Sequence, residues 1–288
     1  MEKTKPKKRS RSTWLFVVIF FIGAAVMLYP SISNLWNAHL QDIVKSNYER
    51  EVEEMGKEDD TLYEYEYERA KAYNDELWPT PVLSDPVYFV GGETAPEYQE
   101  CLNLTGNGLM GFVSIPKIDI EIPIYHSTDE ETLQNGAGHL EGTSLPIGGE
   151  STHSVIAAHR GLPGSMLFTD LDQMEIGDHF LLYVLDRTLC YEVDQIKEVD
   201  PSDNSDLAIE GGKDQCTLLT CTPYGVNTER LLVRGHRVPY DESEMEEADT
   251  VFGIPRQYIG LIIGLAAVLI AVLIMVASGR RRHKRSKA

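Results

Sequence analysis

A cysteine and an arginine occupy positions that a β-hairpin would bring side by side. Residues 214–237 (DQCTLLTCTPYGVNTERLLVRGHR) place β-forming residues on both sides of a turn-forming sequence, which is typical of strand, turn and strand. Cys221 ends the first predicted strand, and Arg230 begins the second. The thiolate is the nucleophilic form of cysteine, and nearby positive charge stabilises it. Cys221 is therefore a candidate nucleophile, although a small buried thiol beside a surface arginine fits the same segment.

A histidine supplies the third component of this chemistry. His159 follows the apolar run 155–158, so we expect it at the end of a core strand. An imidazole, which titrates near neutrality, can protonate a leaving amine and later deprotonate an incoming one. An arginine can stabilise an oxyanion or hold a substrate backbone. Cys221, His159 and Arg230 together indicate acyl transfer through a thioester. The other histidines, such as His139, His153 and His236, are predicted to be surface or packing residues.

The charge distribution excludes one class of partner. The chain has 288 residues and a formal net charge of -19. Residues 1–12 and 279–288 hold 12 of the 26 Lys and Arg residues but only one of the 45 acidic residues. The remainder therefore carries 14 basic and 44 acidic residues. Such an acidic segment repels nucleic acid, so we predict no nucleic-acid binding.

Two apolar runs beside the basic tails predict two membrane spans. Residues 13–30 form the first predicted transmembrane helix, for which a cleaved signal peptide is the alternative, and residues 258–278 form the second. The Lys and Arg clusters lie on the terminal side of both runs. The positive-inside rule then places both tails in the cytoplasm and the middle of the chain outside the cell. Residues 241–257 are predicted to be an acidic linker.

The cysteines do not indicate a metal site. The four cysteines include no C-x-x-C pair, and we predict neither a metal nor a cofactor. One reactive thiol and three buried thiols fit the sequence best, and a disulfide between Cys101 and Cys190 stays open.

The segment between the spans divides into three parts. Residues 31–77 predict two helices, roughly 34–55 and 60–77, which form either a stalk or a pair packed on the domain. Residues 78–99 are Pro-rich and predict a long loop, either a linker or a lid. Residues 100–240 contain many short strands and turns, which predict a closed β-barrel or a sandwich. The clearest strands lie near residues 111–116, 118–125, 154–158, 180–185, 189–193 and 195–199.

Several long motifs resemble those of one enzyme family. The segment 217–235 (TLLTCTPYGVNTERLLVRG) is similar to the active-site signature of sortases, and most of all to that of the pilin-polymerising class C branch. The segments GAGHLEGTSLP, AHRG and AKAYN, at residues 136–146, 158–161 and 70–74, also match that class. The resemblance extends over about residues 30–240 and includes the second membrane anchor.

The resemblance implies a fold, a reaction and a role for each residue. The fold would be mainly β, an eight-stranded sortase-type β-barrel with N-terminal helices, flanked by the two transmembrane helices. Cys221 would attack the Thr–Gly bond of an LPXTG-like sorting signal, and a lysine amine of another pilin subunit would resolve the thioester. His159 would be the acid and base, Arg230 the substrate or oxyanion clamp, and Thr220 a residue lining the substrate site. Pilin subunits and surface proteins with such signals would be the partners.

The resemblance also assigns a lid to the Pro-rich loop. In the family, an Asp-Pro pair precedes an aromatic residue that covers the cysteine. Here Asp85-Pro86 is followed by Val87, so the sequence departs from that pattern. We expect Asp85 to reach Arg230 and Tyr88 to take the covering role.

Three other functions share part of these features. A housekeeping sortase would use the same chemistry on a peptidoglycan amine. A hydrolytic cysteine protease would use water instead of an amine. A non-catalytic adhesin or receptor ectodomain would hold Cys221 as a buried thiol.

Overall fold

The computed structural model of the protein describes residues 11–58, 61–77, 95–240, 250–251, 254–255 and 260–272. The chain forms two compact units. One consists of Met1–Trp36 with Thr250–Ala288, and the other is Asn37–Asp249. The second unit carries every described residue of the candidate site.

Eight strands of the second unit close into a barrel. Around the barrel the order is β1-β2-β3-β4-β7-β8-β6-β5, with β5 paired to β1, so the barrel rather than the sandwich alternative is confirmed. Closure leaves no edge strand, which removes the unpaired backbone groups of an open sheet. The strands are β1 (Leu109–Ile115), β2 (Ile120–His126), β3 (Ala137–His139), β4 (Thr152–Ala157), β5 (His179–Val184), β6 (Arg187–Val199), β7 (Asp214–Thr222) and β8 (Glu229–Val238).

The antiparallel and the parallel strand pairs are connected differently along the chain. β1 with β2, β5 with β6, and β7 with β8 are consecutive antiparallel pairs, which short turns can join. β2 with β3 and β4 with β7 are parallel, and a parallel pair needs a longer crossover. The predicted strands 189–193 and 195–199 are one strand, β6. The register between β6 and β8 shifts between Val193 and Gln195, which is where the prediction divided it. An extra residue at a bulge interrupts the alternation from which strand ends are predicted.

The barrel interior and its flanking helices share one apolar core. The main cluster combines inward side chains of the strands with residues of the N-terminal helices and of the segment before β1. Burial of each large apolar side chain in this cluster contributes about 1.5–3 kcal/mol to the free energy of folding. Among its fully buried members are Ala70, Tyr98, Leu102, Met110, Ile124, Phe168, Phe180 and Tyr191.

Among the described residues, three α-helices precede the barrel, and a short fourth one lies in a connection between two of its strands. α1 (Arg11–Glu58) is longer than predicted, because the first apolar run continues through Pro30 into the predicted helix 34–55. α2 (Thr61–Leu77) agrees with the predicted second helix. α3 (Pro96–Glu100) begins within the predicted loop 78–99, and Pro96 suits the first turn of a helix because no partner is needed there for its missing N–H. α4 (Glu130–Asn135) connects β2 to β3.

In the described part of the chain, one helix has the length and composition of a membrane span. The apolar helix Val18–Lys57 meets this test, whereas the second apolar helix, α5 (Gly260–Val272), is shorter. Residues 258–259 and 273–278 of the predicted second span lie outside the described residues. Within this unit α5 packs closely on α1: a Cβ added at Gly264 would lie 2.5 Å from Leu28 Cδ2. Small residues of this kind let two helices approach closely in a membrane.

The segment around residues 141–145 holds α2 and α3 against the barrel. The buried Asn74 side chain of α2 accepts from Leu145 N–H at 2.6 Å and donates to Leu145 O at 3.2 Å. Glu141 Oε1 accepts from Ala95 N–H, just before α3, at 3.0 Å. The last turn of α2 and the residue before α3 are therefore both hydrogen-bonded to this one segment between β3 and β4.

Replacement of Asn74 by Ala tests this attachment. The substitution leaves the buried N–H and C=O of Leu145 without their partner, so the free energy of unfolding is expected to fall by about 2–4 kcal/mol. Denaturant unfolding of the full chain in detergent measures the change. The matched control is Asn47→Ala on the exposed face of α1, which is expected to change stability by less than about 0.5 kcal/mol. Equal stability of Asn74→Ala and the wild type would contradict the assignment.

His139 is a structural histidine that is held neutral. It is fully buried, its Nε2–H donates to Ser144 O at 2.9 Å, and its Nδ1 accepts from the Tyr98 hydroxyl at 2.9 Å. Burial lowers the pKa of His139 from 6.5 to about 3, and the charge of nearby His126 adds to this effect. The unfolded chain therefore binds a proton below pH 6.5 that the folded chain does not bind until about pH 3. Stability from this group is complete above pH 6.5 and is lost as the pH falls.

A neutral replacement of His139 is expected to weaken the acid sensitivity. Below pH 6.5 this one group contributes a slope of about 1.4 kcal/mol per pH unit to the free energy of unfolding. His139→Gln retains a donor toward Ser144 O but has no such titration. Denaturant unfolding between pH 7.5 and pH 5 measures both slopes. The variant is expected to be less stable at pH 7.5 and to lose less stability on acidification, and equal slopes would refute the role of His139.

Candidate active site

Cys221 and Arg230 are direct partners in the barrel. Cys221 is the next-to-last residue of β7, and its Cα lies opposite that of Arg230 on β8. Directly opposed residues of an antiparallel pair project their side chains to the same face. The thiol and the guanidinium are therefore neighbours, as the predicted hairpin requires. Both are largely buried, since Cys221 is 8% exposed and Arg230 is 1% exposed.

His159 reaches the same rim of the barrel from β4. β4 runs parallel to β7, and the last paired residues are Ala157 and Leu219. One further hydrogen bond, from Ala158 N–H to Leu219 O at 3.1 Å, extends this pairing beyond the strand. Continuing the register by two residues places His159 level with Cys221. The three predicted residues thus lie at three adjacent strand ends.

Thr220 holds the end of the strand that carries His159. It is fully buried, and its hydroxyl donates to Ala158 O at 2.8 Å. Its described contact is therefore with the neighbouring strand. The predicted role of Thr220 in lining the substrate site stays a prediction.

The His159 imidazole lies beside a carboxylate. The His159 side chain is 23% exposed, and its Nε2 lies 3.7 Å from Oε2 of Glu130, the first residue of α4. Glu130 Oε1 accepts from Gln134 Nε2 at 2.9 Å, which fixes the orientation of the carboxylate. Among the described residues no hydrogen bond is made to His159 Nε2. The Glu130 carboxylate is therefore the acidic group described closest to this nitrogen.

Sequence reasoning missed Glu130. The run Asp129-Glu130-Glu131 is typical of a helix N-terminus, and Asp129 does cap α4 by accepting from Thr132 N–H at 2.8 Å. The helix alone explains acidic residues at these positions. Only the packing of α4 near the end of β4, which no local pattern indicates, distinguishes Glu130 from its neighbour Glu131.

Arg230 supplies a permanent positive charge next to the thiol. Its Nη1 donates to Glu229 O at 3.2 Å. The pKa of Asp200, which follows β6, is lowered chiefly by hydrogen bonds from Ser202, and the Arg230 charge adds to the effect. Because a guanidinium stays charged at all physiological pH values, Cys221 always lies beside a cation. Such a neighbour favours the thiolate form of a cysteine.

The other three cysteines differ from Cys221. All four lie in the described part of the chain and none forms a disulfide, so the Cys101–Cys190 bridge is not present. Burial raises the pKa of Cys101, and burial together with the Asp214 charge raises the pKa of Cys216 well above its ordinary value. Cys216 is therefore a protonated core thiol. Cys221 differs because it lies at the rim beside Arg230.

The predicted lid residues Asp85, Pro86 and Tyr88 lie outside the described residues. The lid and its expected contacts with Arg230 and Cys221 stay predictions.

A thiol, an imidazole and a guanidinium at one rim are the groups that acyl transfer requires. The thiol can form the acyl intermediate, the imidazole can move protons, and the guanidinium can stabilise negative charge on the reacting carbonyl oxygen. The barrel carries Cys221 and Arg230 on paired strands, which are more rigid than loops, and His159 two residues after the end of β4.

Comparison with known proteins identifies the family. Residues 113–238 match the model of the Sortase domain. The structure is similar to sortase C1 from Streptococcus agalactiae, with a TM-score of 0.63 and 48% identity over 69% of this chain and 99% of that one. It is also similar to sortase C from Streptococcus pneumoniae, an enzyme with pilin substrates, with a TM-score of 0.60 and 46% identity over 68% of this chain and 97% of that one.

A curated relative agrees with the family assignment. Sortase D of Bacillus subtilis is 31% identical over 131 residues, which cover 44% of this chain and 63% of that protein. The chain thus spans slightly less than two thirds of this relative, but it spans nearly all of the solved sortases C. With its closed eight-stranded barrel and this degree of identity, the chain belongs to the sortase family of cysteine transpeptidases.

Proposed function

We propose that this sortase polymerises pilin subunits at the cell surface. It cleaves an LPXTG-like sorting signal between Thr and Gly and joins the threonyl group to a lysine amine of another subunit. The observation that carries the reaction is the direct pairing of Cys221 with Arg230, with His159 level with them on the parallel strand. The identity to solved sortases C, one of which has pilin substrates, supports the pilin assignment.

The first half-reaction forms a thioester. The Cys221 thiolate attacks the threonyl carbonyl carbon, and the Arg230 guanidinium stabilises the resulting oxyanion or holds the substrate backbone. The tetrahedral intermediate collapses as the C–N bond to glycine breaks. His159 gives its proton to the leaving glycine amine, so the fragment departs as a neutral amine and the imidazole becomes neutral.

The second half-reaction forms the isopeptide bond. The lysine amine attacks the thioester carbonyl carbon and loses a proton to His159. The C–S bond then breaks, and the thiolate and imidazolium are restored. Glu130 Oε2 lies 3.7 Å from His159 Nε2, on the ring to which both proton transfers are assigned. Water in place of the amine would give hydrolysis, so the acceptor decides the product.

The proposed location is the outer face of the cell membrane. The apolar helix Val18–Lys57 and the shorter helix α5 support two anchors, and the basic tails support a cytoplasmic position for both termini. The catalytic barrel then lies outside, where pilin subunits and other proteins with sorting signals are presented.

A peptide-transfer assay with the full chain in detergent tests the function. A fluorogenic peptide with an LPXTG signal is incubated with either a pilin-type lysine peptide or a peptidoglycan cross-bridge amine. We expect a joined product with the lysine peptide, and we expect Cys221→Ala to lower its rate by about 1,000-fold or more. The matched control is Cys216→Ala, which removes a fully buried thiol of the same strand and is expected to remain active.

Three other results would overturn the pilin assignment. Transfer only to the cross-bridge amine would indicate a housekeeping sortase, and release of the acid alone would indicate a hydrolase. No turnover together with slow alkylation of Cys221 would indicate a non-catalytic ectodomain.

We further propose that Asp85 and Tyr88 restrain the resting enzyme as part of a lid. The support is the Asp-Pro pair and the aromatic residue shortly after it in the sequence. The double variant Asp85→Ala/Tyr88→Ala is expected to raise the initial transfer rate, because a cover must open before the substrate reaches Cys221. The same peptide assay measures the rate. An unchanged or lower rate with unchanged thermal stability would refute a restraining role.

A further inference from the structure

A chain of four polar side chains runs beside the candidate active site. Arg160, immediately after His159, donates from Nη1 to the Thr222 hydroxyl at 3.3 Å, and its Nη2 forms an ion pair with Asp172. The Thr222 hydroxyl in turn donates to Glu198 Oε1 at 3.1 Å. The sequence Asp172–Arg160–Thr222–Glu198 is thus continuous, and we refer to these four residues as the rim network.

The centre of the rim network is buried. The Arg160 side chain is 7% exposed, and Thr222 is buried as well, whereas Asp172 and Glu198 at the two ends are exposed. The Arg160 guanidinium also lies over the ring of Tyr224, 5.9 Å from its centroid. An exposed ion pair alone would contribute little, but a buried guanidinium with a hydroxyl, a carboxylate and a ring around it has a defined position.

Each candidate catalytic residue is tied to a member of the rim network. Arg160 follows His159, and Thr222 follows Cys221, in the chain. Glu198 precedes Val199, whose Cα lies opposite that of Arg230. The four side chains therefore connect the segment after β4 to β7 and β6, at the rim where all three residues lie.

The backbone pairing of β4 with β7 stops just before His159. β4 ends at Ala157, and Ala158 N–H donates to Leu219 O, whereas His159 O accepts from Phe168 N–H at 3.1 Å within its own connection. Beyond it, the hydrogen bond from Arg160 to Thr222 joins the segment that carries His159 to the strand that carries Cys221. This side-chain bridge thus adds a direct link between the residues that follow His159 and Cys221.

We propose that the rim network is the positioning device of the active site, with Arg160 and Thr222 as its positioning residues. It holds the ends of β4, β7 and β6 so that His159, Cys221 and Arg230 keep their mutual geometry during the two half-reactions. Neither Arg160 nor Thr222 is assigned a contact with the substrate. This role rests on the proposed function of His159, Cys221 and Arg230. The rim network supplies the side chains that align these three residues.

A pair of substitutions at Thr222 separates the hydroxyl from the rest of the side chain. Thr222→Val keeps the shape and removes the hydroxyl, whereas Thr222→Ser keeps the hydroxyl. Because small misplacements of reacting groups are costly, we expect Thr222→Val to lower kcat by roughly 10-fold or more. KM is expected to change by less than about twofold, since no substrate contact is removed. Thr222→Ser is expected to restore most of the activity.

Arginine-to-lysine substitutions supply a matched comparison. Arg160→Lys keeps the charge but loses the planar fork that reaches Thr222 and Asp172 together, so a loss of kcat like that of Thr222→Val is expected. The control is Arg234→Lys. Arg234 is also ion-paired, to Asp194 at 2.9 Å, and 15% exposed, but it lies opposite Thr217, farther along β8 from the rim. The control is expected to retain the wild-type kcat.

A second measurement does not depend on any peptide substrate. Iodoacetamide alkylation of Cys221 in the full-length protein, quantified by mass spectrometry from pH 5 to pH 9, reports the alignment of the thiol with His159 and Arg230. Thr222→Val and Arg160→Lys are expected to alkylate roughly 10-fold more slowly at pH 7 and to have a changed pH profile. A role in stability alone would lower the melting temperature without changing this profile.

The outcomes distinguish the network from the proposed function. Wild-type kcat and alkylation in Thr222→Val would overturn the positioning role, as would equal losses in the Val and Ser variants. If the wild-type protein transfers no peptide, the proposed function fails, and the alkylation profiles still decide whether the rim network aligns Cys221.

Discussion

The parallel pairing of β4 with β7 brings His159 to the place where β7 presents Cys221. A short turn cannot join two parallel strands, so the chain between them must return by another route. Here residues 158–213 build β5, β6 and their connections, which themselves complete the barrel. Because the barrel is closed, neither β4 nor β7 can change register without displacing its other neighbour. The distance between imidazole and thiol is therefore a property of the whole barrel.

At the rim of the barrel, the backbone hydrogen bonds between strands end. Polar groups there need other hydrogen-bond partners. Side chains perform this task at successive positions: Thr220 holds Ala158 O, and Thr222 accepts from Arg160. Buried polar groups are costly without partners, so the hydrogen bonds of these threonines and the arginine stabilise the rim. Burying the Arg230 charge is costly by the same reasoning, so Arg230 is a poor source of stability. In the proposed function, its charge acts on the reacting carbonyl group or the substrate backbone.

Local patterns predicted the parts of the site that depend on local structure. Cys221 and Arg230 lie in one hairpin, so two β-forming runs on either side of a turn sequence were enough to predict that they are neighbours. His159 was identified by its type and its place after an apolar run, but its position beside Cys221 depends on a long-range parallel pair. Sequence patterns could not predict the residues whose contacts join parts of the chain that are distant in sequence. These residues are Glu130, Arg160, Asp172 and Glu198. Likewise, the bulge in β6 and the complete burial of His139 depend on their tertiary neighbours.

The pairing of Cys221 with Arg230 is set by strand register and not by the turn between them. The ladder continues to Thr222 and Glu229 before the chain reverses, so residues 223–228 lie outside it. Doubling the length of a flexible loop costs only about 0.6 kcal/mol, which makes such a turn tolerant of insertion. Tyr224 is the exception, because its ring lies under Arg160 and against Gly161. Apart from that ring, changes in the length or sequence of the turn leave the pairing of Cys221 with Arg230 in place.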